Sequence, residues 1–489
     1  MLKSEEQITV QTSNPDKWKV LFTVAFGTFM ATLDSSIVNI ALPTIRSELH
    51  AGDDVEWIVL SYLLVTTSTL LIMGKLSDMY GRKNIYIAGF SVFVLGSLFC
   101  GLSWDIWSLV GSRVVQGIGA SMIFAIGPAI ISDAFLPHER GRALGLMGTV
   151  VAAGTSTGPV AGGFLLQQFG WPSIFFVNIP IGIIAIWRAW MILPRLARTR
   201  TQPFDLIGAA LFLVGVTCLL IGIDFGASPA YDWSDPAVIG LLIIGILLLF
   251  IFLLWEKKTP HPMLRLRLFA IKPFSAAITA AGLGFMANGA NVYVIPFFLQ
   301  LLLGYSPQDA GLIMLAGPVT LSIAAPLGGY LSDKISTRLI ASTGLFITAT
   351  GYFLFSFLQP YWTWQDVIWR SALLALGFGL FQSPNSSSAL NATPITERGV
   401  GSSLLAFMRN LGLVTGIALG AAVWYSVRNS FAVGHSVEPL SQEAQLTGMR
   451  MVYRVTSGLV LTAAVVSALR GSSRSLAREE AAVNMAGKS

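Results

Sequence analysis

The sequence predicts an all-α polytopic membrane protein, and three observations carry that prediction. Apolar residues make up 54% of the 489 and charged residues only 11%, against about 25% charged in ordinary soluble domains. The apolar residues fall into runs of bilayer length, roughly 20 residues each. Lysine and arginine collect on alternate connections between those runs, the cytoplasmic excess that orients membrane helices. A net charge of +6 therefore reads as topology, not as a nucleic-acid-binding surface.

In order, the spans are 20–42, 55–74, 84–103, 106–132, 142–166 and 172–193, then 204–224 and 237–255. Six more follow at 274–302, 309–331, 338–358, 364–392, 400–426 and 452–469, the last of them short. The polar tail 1–19 runs into a full-length span with no small-residue cleavage site, so that span reads as an uncleaved helix. With both tails cytoplasmic, Lys75, Arg82, Lys83, Arg140, Arg142, Lys257, Lys258, Lys334 and Arg398 fall inside. Arg46, Arg428, Arg450 and Arg454 fall outside. A wrong span count would scramble this bias. The longest polar connections are Glu256–Pro273 and Arg428–Arg450, and the expected residence is the cytoplasmic (inner) membrane. Cys100 and Cys218 sit inside apolar runs, where they read as small packing residues.

The chain repeats itself. Gly-x-Leu-Ser-Asp occurs at Gly74–Asp78 and again at Gly329–Asp333, each ending the second helix of a six-helix group. Glu-Arg-Gly occurs at Glu139–Gly141 and Glu397–Gly399, each opening a fifth helix. Two homologous halves result, 20–200 and 258–470, with a two-helix insert at 201–257 and tails at 1–19 and 471–489. A parallel repeat with a site between its halves is the plan of an alternating-access transporter. Both halves lie in one chain, so a monomer suffices.

The first span holds one carboxylate, Asp34. A charge at the bilayer centre costs about 2.5–3.5 kcal/mol on insertion scales. Asp34 is therefore a candidate proton-exchange site, the plain alternative being a carboxylate that caps a partner helix. Arg113 is the second embedded charge. A buried guanidinium stays charged and needs an anion or a wet cavity, and Asp34 is the carboxylate available in the preceding spans. Otherwise Arg113 snorkels to the headgroups.

Two further stretches punctuate the first half. The segment Gly74–Lys83 reads as a cytoplasmic connection. Gly81 permits a tight turn, Asp78 can accept orphan N–H groups at a nearby helix start, and Arg82 and Lys83 hold the segment in the cytosol. Within Gly154–Gly163, the glycines 154, 158 and 162 recur every fourth residue and make a flat face for close helix approach. Gly163 extends the run, and Pro159 favours a bend. Gly412, Gly416 and Gly420 repeat the spacing in the second half without the proline.

These stretches resemble the major facilitator superfamily. The Gly74–Lys83 pattern is similar to its signature loop, Gly154–Gly163 to the antiporter motif of drug exporters, and Gly111–Ser121 to its fourth-helix motif. Leu33–Pro43 and Gly170–Gly182 resemble the fourteen-span drug:proton antiporters, and the likeness covers nearly the whole chain. It implies the major facilitator fold with two extra central helices, a cytoplasmic latch at Asp78 and Arg82, a proton-transfer role for Arg113, and export. The second-half copy lacks the glycine after Asp333 (Lys-Ile-Ser-Thr-Arg338), so a looser latch is expected there. The glycine face suits a hinge interface.

A substrate cavity is expected around Asp34, Asn39, Asn288, Asn291, Tyr293, Phe297, Gln382 and Asn385, because amphiphile sites combine aromatic faces with a few polar groups. Interhelical packing explains the same residues. No His/Cys cluster, phosphate loop or nucleotide motif appears, and His50, His138, His261 and His435 lie in connections. Neither enzyme, metal nor cofactor is expected; the energy would come from a proton gradient. One proton crossing 100 mV releases about 2.3 kcal/mol, and one pH unit adds about 1.4 kcal/mol. A single coupling carboxylate suits monovalent lipophilic cations or neutral and zwitterionic amphiphiles over dications. The expectation is a drug or dye exporter. An exporter of a lipid or amphiphilic metabolite shares every feature, whereas a non-transporting sensor would not need intact coupling charges.

Overall fold

A backbone in hydrocarbon must satisfy its own hydrogen bonds, and the chain does so with helices. The structure, a computed structural model, describes residues 16–49, 57–136, 138–194, 204–227, 233–305, 307–394, 397–435 and 441–470, and among them no strand occurs. The first half comprises α1 (Lys17–Glu48), α2 (Trp57–Tyr80), α3 (Arg82–Gly101), α4 (Ile106–Ala134), α5 (Arg140–Phe169), the single turn α6 (Ser173–Phe176) and α7 (Asn178–Ile192). The insert is α8 (Leu206–Ala227) and α9 (Pro236–Lys258). The second half comprises α10 (Lys272–Phe297), the short α11 (Pro307–Met314), α12 (Ala316–Lys334), α13 (Thr337–Phe355), α14 (Trp364–Ala392), α15 (Arg398–His435) and α16 (Gln442–Leu469).

Among the described residues, thirteen helical segments are long and apolar enough to cross a membrane, with α6–α7 and α11–α12 each counting as one. α14 stands outside that set because polar residues interrupt it: Ser383, Asn385, Ser386 and Ser387 are all buried. Its 29 residues nevertheless reach about 44 Å, beyond the ~30 Å hydrocarbon core, and it lies between α12 and α13.

Two connections and one span differ from the sequence reading. Gly74–Tyr80 is the last part of α2, so the signature segment is helix with a one-residue turn at Gly81 (φ 95°). The expected loop Arg428–Arg450 is mostly helix, because α15 runs to His435 and α16 starts at Gln442. The short final span is the second part of that 28-residue helix. Hydropathy marks where a helix leaves the bilayer, whereas hydrogen bonding continues the helix into water.

The glycine faces also sit differently from expectation. A Cβ on Gly154, Gly158 or Gly162 would strike Thr32, Ser36 or Ile37 of α1, and one on Gly412 or Gly416 would strike the backbone of α10. Both faces therefore close helix pairs inside a half, and the hinge expectation is corrected. The contact between halves on α5 lies nearer its start, where Gly145 and Gly148 meet Ala325 of α12. We expect Gly158→Leu to lower the melting temperature in detergent by destabilising the α1–α5 pair, at a cost of about 1–3 kcal/mol. An unchanged melting temperature would contradict that packing.

The insert docks across the seam between the halves, since α8 touches both α2 and α15. Phe212 of α8 meets Phe407 of α15 with ring centroids 5.3 Å apart. Ile243, Ile246, Leu247 and Phe250 of α9 face outward, as lipid-facing side chains do.

Candidate functional site

Asp34 is fully buried and Arg113 nearly so, and their side chains form an ion pair at 2.7 Å. Two amide donors converge on this pair. Gln116 Nε2 and Asn178 Nδ2 donate to Asp34 Oδ1 at 2.8 and 2.7 Å. Arg113 also donates to Gln116 Oε1 (2.5 Å) and to the carbonyl of Ile58 (3.1 Å). Its guanidinium stacks 4.1 Å from the Tyr62 ring centroid, a favourable cation–π geometry. Gln116 is tied in turn to Ser97 Oγ at 2.7 Å.

The cluster thus draws on α1, α2, α3, α4 and α7, which makes it the polar centre of the first half. Buried charges persist only when paired and hydrogen-bonded, and here the carboxylate accepts three bonds. Snorkelling and helix capping are both absent from this geometry. Gln116 and Asn178 were not singled out from the sequence. The signal was there for Gln116, three residues after Arg113 on the same helix face. Asn178 is the buried polar residue of an apolar run, and only tertiary contact reveals its partner. Among the described residues, Tyr62 Oη and Asn178 Oδ1 are buried without a partner.

A second constellation closes one end of the bundle. Asp78 accepts the backbone N–H groups of Gly399 (3.0 Å) and Val400 (3.1 Å) at the start of α15, in the opposite half. A carboxylate on a helix N-terminus is favoured by the unsatisfied N–H groups and the dipole. Arg82 bridges Asp78 (2.9 Å) to Asp133, and Arg398 of the second half reaches Asp133 at 2.9 Å. Lys83 donates to the carbonyls of Trp190 and Leu193 at the end of α7. Gly74 is where the backbones cross, because a Cβ there would lie 2.6 Å from the Gly399 carbonyl.

The repeat reproduces this arrangement. Asp333 accepts from Gly141 (3.2 Å) and Arg142 (2.9 Å) at the start of α5, so the backbone contacts of the second Gly-x-Leu-Ser-Asp copy are as short as those of the first. The expected loosening is confined to charge. Asn391 takes the place of Asp133 as the partner of Arg140, the counterpart of Arg398. Thr149 to Ser322 and Asn410 to Thr67 add hydrogen bonds between the halves.

The expected cavity residues do not converge. Asn291 Oδ1 accepts from Tyr453, Tyr293 shares a hydrogen bond with Tyr425, and Phe297 packs on Trp424. Asn385 is buried, donating to the Ala277 carbonyl and accepting from Arg470. It belongs to second-half packing, because its amide is already satisfied there. None of these shares a partner with Asp34, and Asp34 opens onto no solvent. Asn288 and Gln382 are half-buried. Asn39 and Pro159 are helical positions whose side chains lie outside those described.

The sequence profile of the Major Facilitator Superfamily matches residues 24–417 and 276–470. The chain belongs to the major facilitator superfamily. It is 36% identical over 410 residues to the riboflavin transporter RibZ of Clostridioides difficile, covering 82% of this chain and 87% of that one. It is 32% identical over 418 residues to the multidrug resistance protein Stp of Mycobacterium tuberculosis, covering 83% and 76%. Among solved structures, the human organic anion transporter MFSD10 superposes with a TM-score of 0.67 at 14% identity, over 93% of this chain and all of that one. That likeness concerns the fold. The protein is thus a multi-pass membrane transporter of small molecules, with relatives named for multidrug resistance.

Proposed function

We propose that this facilitator is a proton-coupled antiporter exporting amphiphilic organic compounds across the cytoplasmic membrane by alternating access. The observation that carries the reading is the buried Asp34–Arg113 pair with its Gln116 and Asn178 donors. A carboxylate in the membrane interior can hold a proton, and a proton on Asp34 removes the anion that Arg113 and both amides address. The protonated carboxyl then needs an acceptor, and the unpartnered Asn178 Oδ1 is beside it. Protonation therefore rearranges this network, and with it the packing of α1 against α4 and α7.

The latches supply the other part of the cycle. With Asp78 and Asp333 at the cytoplasmic end, as the positive charges place them, both latches are engaged and the halves are closed toward the cytoplasm. Proton loading from outside would loosen the α1–α4 contact, release the latches and let the halves rock open inward. Residues 20–200 and 258–470 are the rocking units in this scheme, and 201–257 is the insert that accompanies them. The relatives named for riboflavin and for multidrug resistance favour aromatic amphiphiles as cargo. A lipid or amphiphilic metabolite is the second reading: α8 lies along the α2–α15 seam, so the insert would shape any sideways path from the bilayer.

Proton flux in inside-out vesicles tests the proposal. Wild-type vesicles with an acid-inside gradient should lose it when an amphiphilic substrate is added, and Asp34→Asn vesicles should not. Equal collapse in both would remove Asp34 as the coupling group. No response to any drug or dye, with a response to added lipid, would favour the second reading.

A further inference from the structure

The coupling network accounts for Asp34 and Arg113 but not for Arg409, about a third of the way along α15. Arg409 is half-buried, and among the described residues no carboxylate pairs with it. Among the described residues its hydrogen-bond partner is the Ser386 hydroxyl on α14, and its guanidinium lies 5.6 Å from the Phe285 ring centroid on α10. Its Nε is buried without any partner. A guanidinium inside a membrane protein stays charged and is costly unless an anion or water meets it. Asp34 and Arg113 neutralise each other, whereas among the described residues neither Arg409 nor the buried Arg470, which meets Asn385 and the Thr337 carbonyl, has a carboxylate, so this side of the second half is electropositive.

The surroundings describe what that charge faces. Phe378, Gln382 and Ser386 follow one another at four-residue spacing on α14, hence on a single face. Phe378 packs edge-to-face on Phe285 with centroids 5.0 Å apart, so two rings lie one or two turns from the guanidinium. Gln382 Oε1 is buried without a partner, so the same face also holds an unmet acceptor. Asn410, next to Arg409, reaches across to Thr67 of α2 at 3.3 Å, which places this group at the junction of the two halves. A structural link between α14 and α15 would need neither an unmet Nε nor an unmet amide oxygen.

We infer that Arg409 is a substrate-binding residue and that the cargo is an aromatic amphiphile bearing an anionic group, as an organic anion or a zwitterion. The anionic group meets Arg409, the ring stacks on Phe285 and Phe378, and a donor on the cargo reaches Gln382. Lipophilic monocations, which the sequence admits, are disfavoured by like charge. The energetics agree: one proton entering against one anion leaving moves two charges in the direction that an inside-negative potential favours. The inference rests on the export reading and narrows its substrate class.

Two xanthene dyes of similar size test it, anionic fluorescein and cationic rhodamine 123. The full chain in proteoliposomes with an acid interior is offered each dye, and retained dye is read after lysis at fixed pH. Wild type should accumulate fluorescein about tenfold faster than rhodamine 123, and Arg409→Gln should cut fluorescein by about tenfold without lowering rhodamine 123. Arg409→Lys, which keeps the charge, should retain more fluorescein transport than Arg409→Gln. Equal rates for the dyes, preference for the cation, or transport of neither overturns the inference on wild type alone, whether or not the variant folds. Fluorescein transport indifferent to a well-folded Arg409→Gln also overturns it. Fluorescein transport that depends on Arg409 but persists in Asp34→Asn upholds the substrate class and overturns the proton coupling instead.

Discussion

Arg113→Ala will destabilise the protein more than any other single truncation in the first half, by about 3–5 kcal/mol, because it leaves the Asp34 carboxylate buried without its cation. Asp34 is fully buried and Arg113 1% exposed, so water cannot replace the missing partner. Two amide donors would remain on the carboxylate, which is why a loss in that range is expected and not complete unfolding. The informative comparison is the pair of double variants. Asp34→Asn with Arg113→Gln removes both charges while keeping hydrogen-bonding shape, and should recover most of the melting temperature without recovering substrate-driven proton flux. Exchanging the charges, Asp34→Arg with Arg113→Asp, should recover neither, since Gln116 and Asn178 are placed for an anion on α1. A single Arg113→Ala variant that melts like wild type would show that the pair is not the closed, dry contact described above.

Asp78→Ala will shift the protein from the latched state toward one open at the cytoplasmic end. Each N–H bond to a carboxylate is worth about 1.5–3 kcal/mol, and Asp78 accepts two from α15. The same change also deprives Arg82 of one of its two carboxylates. The shift in population should therefore be on the order of a hundredfold or more. Spin labels at the exposed positions Tyr80 and Ile335, one in each half at the latch end, will read it as a longer distance distribution. Asp333→Ala should act in the same direction, more weakly than Asp78→Ala, because Asn391 stands where the first latch has Asp133. Identical distance distributions in wild type and Asp78→Ala would mean that helix packing, and not the latch, holds the halves together.

Much of the fold was legible in the sequence, for a physical reason. A lipid environment forbids unpaired backbone, so each run of about 20 apolar residues must be a helix, and the arginines and lysines fix its direction. The same rule made Asp34 and Arg113 conspicuous, since a charge in such a run is costly wherever it sits. Gly81 was readable too, because only a glycine turns freely at positive φ. The limit appears where helices leave the bilayer. Around Arg428–Arg450 the chain is polar yet helical, and hydropathy is blind to a helix in water.

Tertiary structure alone decided which polar group meets which. Asp78 finds the N-terminus of α15, over three hundred residues away in the chain, and no local pattern encodes that distance. The Gly154–Gly162 face chose α1 inside its own half, because what a flat helix face receives depends on the neighbour that happens to be packed there. Asn385 became a packing residue and Asn178 a ligand of Asp34 for the same reason: an amide in an apolar run announces that it needs a partner, and only the packed bundle says which one. Arg409 is the converse case. The sequence recorded a guanidinium in a span, and among the described residues the folded chain brings it a hydroxyl and no carboxylate.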